Sequence, residues 1–186
     1  MNFQRFSNSS DCGACVQATG PSGSRIFQVI DECPNNPSTD PLCQSKEHLD
    51  LSQVGLTAIG GNGRIDSMTW KYVPCDVQMS NVEVFTQANS NMFFATIGLR
   101  KHRYRVAKVE LVANGMRAPL VRRNDNFFII DSTTPAGATG MALGPLRIRV
   151  TDIYGHWIEN KITLVKGQNV TMALQFPACP GGGDAG

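Results

Sequence analysis

Two carboxylates stand where they could act on a sugar chain. Asp31 ends a predicted strand, and Asp50 lies where the one convincing short helix begins, so both side chains could face one groove. Two carboxylates that flank a glycosidic bond are the usual equipment of glycosidases. For Asp50 a second interpretation is open, because an acid at a helix start is commonly a cap or a first-turn acid worth about 1 kcal/mol.

The cysteines favour crosslinks over metal or redox chemistry. Five of the six lie within the first 75 residues, and Cys12 and Cys15 form a Cys-x-x-Cys pair. The three histidines are isolated and no second Cys-x-x-Cys follows, so no zinc or other metal is predicted. The residues after Cys15 are typical of a strand, whereas a thioredoxin-like motif opens a helix. Structural disulfides imply an oxidising compartment, although no apolar signal segment follows Met1.

Other catalytic constellations are absent from the sequence. No Ser, His and Asp set carries a nucleophile-elbow signature, and there is no G-x-x-x-x-G-K-[ST] phosphate loop. Neither a triad hydrolase nor a nucleotide enzyme is therefore expected, and no cofactor is predicted.

Adjacent aromatic residues are the second feature that could carry a function. Phe93 and Phe94 fall within a predicted strand, where strict alternation would turn only one ring to solvent. Phe127 and Phe128 repeat the arrangement. Burial of such pairs in a hydrophobic core is the alternative.

Charge differs between the two halves of the chain. Residues 1–80 hold five Lys or Arg against eight Asp or Glu, a net −3, whereas residues 81–186 hold twelve against seven, a net +5. A basic half favours an anionic partner. For the run from Arg100 to Lys108, a solvated strand face is the alternative. Nucleic acid is not expected, because no recognition motif or interleaved aromatic set accompanies the run.

Composition and pattern predict an all-β protein. Only 17% of the residues are charged, and 18 Gly and 10 Pro interrupt the chain, which does not suit a helical bundle. Residues 14–19 and 25–30 predict a hairpin, and eight further strands are predicted between residues 82 and 176. The sequence contains no stretch of 18 apolar residues, so no membrane span is predicted. The pattern changes at residues 73–76, the candidate domain boundary.

Several segments, in conserved order from about residue 10 to residue 176, resemble the expansin superfamily and particularly its microbial expansin-like members. In the first half they are CGACVQATGPSG from Cys12, VIDECP from Val29, HLDLS from His48 and WKYVPC from Trp70. In the second half they are FFATIGLRKHRYRV from Phe93 and GPLRIRVTDIYG from Gly144.

The resemblance implies a six-stranded double-psi β-barrel in residues 1–78, an immunoglobulin-like, carbohydrate-binding β-sandwich in residues 79–177, and a disordered tail in residues 178–186. Members of the family loosen cell walls without demonstrated bond cleavage. Asp50 corresponds to the general acid of the related family 45 glycoside hydrolases, and Asp31 to the other groove carboxylate of expansins. The family lacks the catalytic base of those hydrolases, so efficient hydrolysis is not expected.

Departures from the family pattern define further expectations. The family's sandwich binds cellulose through a line of three aromatic residues, which fall here on Phe93, Phe94 and Asp125. Because an aspartate cannot stack on a sugar, we expect weak binding to crystalline cellulose and, given the net charge of +5, binding to anionic polymers such as pectin. Only eleven residues precede Cys12, so the barrel is expected to be incomplete at its N-terminal side, with an exposed sheet edge.

The resemblance also implies two disulfides, Cys15 with Cys75 and Cys33 with Cys43, and leaves Cys12 and Cys179 without assigned partners. The sequence as a whole predicts a secreted, non-hydrolytic wall-loosening protein that binds plant-type polysaccharide, namely cellulose, xylan or pectin. We expect a monomer without a nucleic-acid or membrane partner. A weak endoglucanase related to family 45 is the alternative.

Overall fold

The structure, a computed structural model, describes residues 1–6, 9–33 and 35–178. Cys179 and residues 180–186 of the predicted tail lie outside these ranges. Within them the chain is all-β in class, with short helices between strands. The strands are β1 Cys15–Gly20, β2 Gly23–Gln28, β3 Thr69–Val73, β4 Glu83–Thr86, β5 Ala95–Arg100, β6 Val106–Ala113, β7 Met116–Pro119, β8 Val121–Arg122, β9 Phe128–Ile130, β10 Leu146–Asp152, β11 Trp157–Ile162 and β12 Asn169–Thr171. The helices are α1 Phe3–Phe6, α2 Gln53–Ala58 and α3 Pro135–Ala138, with a 3-10 turn at Pro41–Gln44.

Residues 1–78, here called the first part, contain one three-stranded sheet in the order β2-β1-β3. β1 and β2 form the predicted hairpin, in which Gly20 pairs with Gly23 around a two-residue turn. Long loops and α2 complete this part. Its core is small and is built by apolar residues of β1, the loops and α1, namely Met1, Phe6, Ala14, Val16, Ala18, Val29, Leu49 and Ile59.

Residues 79–178, the second part, contain two antiparallel sheets in the orders β11-β10-β6-β7 and β12-β4-β5-β9-β8. Side chains alternate along each strand, so that in β10 Ile148 and Val150 are buried while Arg147 and Arg149 point outward. Buried residues of both sheets belong to one hydrophobic core, among them Val84, Ile97, Val109, Ile130, Ile148 and Ile158. The two sheets therefore form two layers around a shared interior.

The bounds of predicted and observed strands differ at several places, among them residues 92–99 and 162–165. The strand predicted at Met92–Leu99 begins only at Ala95, because residues 91–94 form a turn. The strand predicted at Ile162–Val165 is wrong, since β11 runs from Trp157 to Ile162. The apolar signal of β11 is weak because the half-buried Asn160 stands between its two inward-facing isoleucines.

A charged contact joins the two parts. Asp11 is buried, and its carboxylate accepts hydrogen bonds from the Tyr72 hydroxyl and from Arg105 Nη1, the latter at 2.6 Å. The Arg105 guanidinium lies 4.1 Å from the centre of the Tyr72 ring. Burial and the hydrogen bond to Asp11 raise the pKa of Tyr72, so the phenol remains a donor. Beside this contact, His102 packs against Gly13, on which a Cβ atom would lie 2.5 Å from the imidazole.

Candidate functional site

Asp31 and Asp50 line the same small depression of the first part. It has a volume of about 150 Å³, and its apolar wall includes Phe27, Leu49 and Leu51. Both aspartates are exposed to solvent. The backbone N–H of Glu32 donates to Asp31 Oδ1 at 2.8 Å, which fixes the orientation of this carboxylate.

The helix-cap interpretation of Asp50 is wrong. The cap of α2 is Ser52, whose Oγ accepts a hydrogen bond from Gly55 N at 3.2 Å, and no acidic residue stands in the first turn. Asp50 precedes the cap by two residues. The Asp50 side chain therefore does not cap the helix, and it can contact a ligand in the depression.

A second depression, of about 590 Å³, adjoins the first and shares Asp50 with it. Its polar lining includes Ser45, His48 and the ion pair of Arg64 with Asp66. Burial lowers the pKa of His48 despite the opposing effect of nearby Asp50, so its imidazole is neutral near pH 7. Neutral imidazole, serine hydroxyl and carboxylate groups are all partners for sugar hydroxyls.

Two disulfides hold this region, and both have the pairing that the expansin resemblance implies. Cys15–Cys75 joins β1 to the segment after β3, with Cα atoms 5.2 Å apart, and Cys33–Cys43 closes the loop between β2 and Asp50, with Cα atoms 5.5 Å apart. Cys12 forms no disulfide within the described residues, and burial raises the pKa of its thiol.

One group of potential metal ligands occurs among the residues that the structure describes. It consists of Cys33, Cys43 and His48, whose ligand atoms lie within 4.8 Å of one another. Because both sulfurs belong to a disulfide, neither is available as a thiolate ligand.

Phe93 and Phe94 lie in a turn before β5 and not within the strand. Asn91 Oδ1 accepts hydrogen bonds from both backbone N–H groups, at 2.9 and 3.1 Å. Because these residues form a turn, their side chains do not alternate between two faces as they would in a strand. Phe93 is 58% exposed, while Phe94 is half-buried. The Phe93 ring lies beside Gly140, where a Cβ atom would approach it to 3.1 Å.

A larger groove of about 1080 Å³ separates the two parts, and sequence reasoning missed most of it. Phe85 and Phe127 line it with edge-to-face rings whose centres are 6.2 Å apart. Phe127 lies against Gly98, on which a Cβ atom would stand 3.2 Å from the ring, and the Arg100 guanidinium lies 4.1 Å from the centre of Phe85. Phe127 was recognisable as half of an aromatic pair, whereas nothing local in the sequence marks Phe85.

The opposite wall of this groove is the edge strand β2. Ile26 and Gln28 of β2 and Ile30, just after it, line the groove, and residues 27–30 also line the depression that holds Asp31 and Asp50. The carboxylate site and the phenylalanine groove therefore meet at β2. Asp125 lies in the phenylalanine groove, while Phe93 and Phe94 line none of the depressions described above.

The basic run from Arg100 to Lys108 is occupied by contacts within the protein. Lys101 pairs with Glu83 at 2.7 Å, Arg105 with Asp11, and Lys108 with Glu110 at 3.2 Å. Arg103 Nε donates to the carbonyl of Phe176 at 3.2 Å. The run stabilises the fold and offers few free charges to an anionic partner.

Two known proteins with a related sequence are an expansin and an expansin-like protein. No family model matches the chain. Expansin-YoaJ of Bacillus subtilis is 25% identical over 167 residues, which cover 89% of this chain and 64% of that protein. Expansin-like protein 2 of Dictyostelium discoideum is 28% identical over 168 residues, which cover 87% of this chain and 38% of that protein. The chain is thus similar to expansins and expansin-like proteins over most of its length. It spans less than two thirds of the length of either relative.

The fold is also similar to that of a solved expansin. A crystal structure of a point mutant of Clavibacter michiganensis expansin in complex with cellohexaose superposes with a TM-score of 0.77 at 24% identity, covering 96% of this chain and 81% of that one. The apo form of the same expansin gives a TM-score of 0.75. Within the described residues, no helix is both long and apolar enough to cross a membrane.

Proposed function

We propose that this expansin-like chain binds cell-wall polysaccharide and loosens the wall without hydrolysis. The observation that carries the proposal is the continuous surface that runs from Asp31 and Asp50 over β2 to Phe85 and Phe127. Carboxylates can compete for the hydrogen bonds of sugar hydroxyls, and aromatic rings can pack on the apolar faces of pyranose rings.

The proposal includes a division into two domains. We assign residues 1–78 to a double-psi barrel of the expansin type and residues 79–177 to an immunoglobulin-like carbohydrate-binding domain. The separate cores of the two parts support this division. Extracellular action as a monomer on plant-type polymers, cellulose, xylan or pectin, belongs to the same proposal, and the two disulfides support an oxidising location.

The environment of Asp50 favours a non-hydrolytic role. A catalytic acid must be protonated at working pH, and enzymes commonly achieve this by placing the carboxyl group in an apolar, water-excluding pocket. Asp50 is instead exposed at the junction of two open depressions. We therefore assign it to hydrogen bonding with the polymer, together with Asp31.

The aromatic platform contains rings from two places. Phe93 is exposed and can stack on a sugar, while Asp125 occupies the third position of the family's line. Phe85 and Phe127 supply aromatic surface in the groove. We expect soluble glucan chains, which can enter the groove, to bind better than crystalline cellulose, which needs a flat line of exposed rings.

The test compares unaltered protein with Asp50→Asn and with Asp131→Asn, an isosteric control on a turn of the second part. Creep of isolated wall material under load, reducing-sugar release and cellohexaose binding are measured for each. We expect the unaltered protein and the control to give creep without sugar release, and Asp50→Asn to lose most of the creep. Sugar release that Asp50→Asn abolishes would establish the endoglucanase alternative and overturn the proposal.

A further inference from the structure

One rim of the groove that contains Phe85 and Phe127 carries a sequence motif that the proposed function does not use. Asn169-Val170-Thr171 is an Asn-x-Thr sequon, the acceptor motif for N-linked glycans when the middle residue is not proline. The motif coincides with strand β12. Because so short a motif often arises by chance, its use depends on how the folded chain presents the asparagine.

Strand β12 presents both polar groups of the motif to solvent. It is an edge strand of the five-stranded sheet, and among the described strands it pairs with β4 alone. Side chains alternate along a strand, so Asn169 and Thr171 are exposed on one face while Val170 packs against the core of the second part. The amide and the hydroxyl therefore share one open face.

The side-chain nitrogen of Asn169 is available for modification. Asn169 Oδ1 accepts a hydrogen bond from Arg100 Nη1 at 3.4 Å, which is long for such a bond. Nδ2, the atom that bears the sugar in an N-linked site, donates to no other residue within the part of the chain that the structure describes. The contact with Arg100 thus orients the amide without covering its nitrogen.

A second exposed asparagine provides a comparison within the chain. Asn36-Pro37-Ser38 has the same spacing of asparagine and hydroxyl, and Asn36 is also exposed. Its middle residue is proline, which excludes it from the acceptor motif. Asn36 Oδ1 also accepts hydrogen bonds from the backbone N–H groups of Ser38 and Thr39, at 3.2 and 3.4 Å. Both asparagines are exposed, but only Asn169 meets the sequence requirement.

Asn169 lies directly beside the aromatic surface of the groove. It is paired with Phe85 in the register of β12 and β4, and both residues line the groove of about 1080 Å³. Residues directly opposite each other on antiparallel strands have Cβ atoms about 4.5–5.5 Å apart. Arg100 contacts both residues, because its guanidinium also lies 4.1 Å from the centre of the Phe85 ring. The first sugar of a glycan on Asn169 would therefore stand next to this ring.

We propose that Asn169 is an N-glycosylation site and that its glycan blocks the groove beside Phe85. Asn169 Nδ2 forms a bond to the anomeric carbon of an oligosaccharide that is carried on a lipid diphosphate. The bond between this carbon and the diphosphate oxygen breaks, Nδ2 loses one proton, and the lipid diphosphate leaves. The blocking role and the secretory route rest on the proposed function, and the two disulfides support that route.

The experiment secretes the full chain from yeast and maps its glycans by peptide mass spectrometry, before and after digestion with peptide N-glycosidase. All samples carry Asn8→Gln, which removes the second sequon, Asn8-Ser9-Ser10, and leaves Asn169 as the one acceptor motif in the sequence. Thr171→Val removes the acceptor hydroxyl at an exposed position and keeps a β-branched side chain. Thr171→Ser is the matched control, because it keeps the sequon.

We expect a glycan on Asn169 in the parent protein and in Thr171→Ser, and none on Asn169 in Thr171→Val or on Asn36 in any sample. A bare Asn169 in protein from cells that glycosylate their other secreted proteins would overturn the proposal. Equal glycosylation of Thr171→Val would also overturn it, because the modification would then not depend on the sequon.

Cellohexaose binding, measured by calorimetry, tests the blocking role. The glycosylated protein should bind cellohexaose about tenfold more weakly than Thr171→Val, as the loss of the Phe85 contact would. Equal affinity of the two forms would overturn the blocking role. If neither form binds cellohexaose, the proposed function and the blocking role fail together, whereas the glycosylation of Asn169 is decided separately by the mass of its peptide.

Discussion

The two sheets of the second part have similar inner faces and very different outer ones. Inward, both contribute aliphatic side chains to one core. Outward, the five-stranded sheet presents Phe85 and Phe127 with Gly98, and β2 of the first part covers it to form a groove. The four-stranded sheet presents to open solvent a surface, here called the arginine face, that consists of Arg117, Arg147, Arg149 and Trp157. A shared core thus constrains one side of each sheet and leaves the other free to carry its own binding chemistry.

One face is partly enclosed and the other is open to solvent, so the two should bind ligands through different interactions. Partial enclosure excludes water from aromatic rings and strengthens contacts that depend on apolar area. Open charges attract an anionic chain over a distance but are screened by salt. The groove should therefore depend on the contact between the two parts, and the arginine face should not.

The largest effect is expected from Arg105→Met. The substitution leaves the buried Asp11 carboxylate without its cation, so we expect a loss of about 3–5 kcal/mol in the free energy of unfolding. Urea denaturation measures this loss. In conditions where the variant is still folded, cellohexaose binding should fall, while binding of polygalacturonate, an anionic polymer of the pectin class, should be kept.

Arg64→Met serves as the control for Arg105→Met. Its ion pair with Asp66 is exposed on both sides, so the change should stay within about 1 kcal/mol. Equal destabilisation by the two variants would show that the Asp11 contact does not hold the parts together.

Acid should weaken the same contact through His102. Burial lowers the pKa of His102 to about 4, and its Nδ1 donates to the carbonyl of Tyr104 at 2.8 Å. The unfolded chain gains a proton on this residue below about pH 6.5, whereas the folded chain does not until about pH 4. Stability is thus complete above pH 6.5 and falls as the pH drops toward 4, by about 3 kcal/mol.

Thermal unfolding of the unaltered protein and of His102→Gln across this pH range tests the assignment. The variant should be less stable at pH 7, because it loses a packed hydrogen bond, but its stability should change less between pH 6.5 and 4. An unchanged pH slope in His102→Gln would assign the acid sensitivity to another group.

Phe127→Ala should separate the groove from the aromatic line that the expansin resemblance implies. The ring lies against Gly98 and Phe85, and its loss should weaken cellohexaose binding about tenfold, or ~1.4 kcal/mol. Phe93→Ala provides the comparison, with a smaller expected effect on this soluble ligand. A larger loss in Phe93→Ala would move the main sugar contact from the groove to the turn before β5.

The smallest expected effect is that of salt on the affinity for cellohexaose, which is compared with the effect of salt on polygalacturonate binding. Raising the ionic strength from about 0.1 to 1 M shortens the screening length from about 10 to 3 Å, so polygalacturonate binding should weaken strongly. Cellohexaose is neutral, and its affinity should change less than twofold. Equal salt sensitivity of both ligands in calorimetric titrations would contradict the distinction between the two faces.

Local sequence signals predicted much of the fold. Residues 14–19 and 25–30 predicted the first hairpin, and a strand was predicted at residues 146–151, where β10 lies. Prediction was wrong for residues 162–165, because the inward isoleucines of β11 are separated by polar residues. It was also wrong for the start of β5, where the Asn91 side chain caps a turn that the apolar run of Phe93 and Phe94 conceals.

The site was only partly predictable for a related reason. Asp31 and Asp50 were recognisable from motifs, and the structure places them on one depression. Phe85 and Phe127 are 42 positions apart and meet only through the pairing of β4, β5 and β9. The sequence drew attention to the basic run at Arg100, whereas the unbalanced charges lie at Arg117, Arg147 and Arg149, which only sheet register brings together.

The most direct test of the account is a competition titration with both ligands. Cellohexaose is titrated into the unaltered protein alone and into protein saturated with polygalacturonate, and its dissociation constant is measured in each case. Two separate faces predict the same constant, within about twofold, in both titrations. Displacement of cellohexaose by polygalacturonate would contradict the account, because it would place both ligands on one surface.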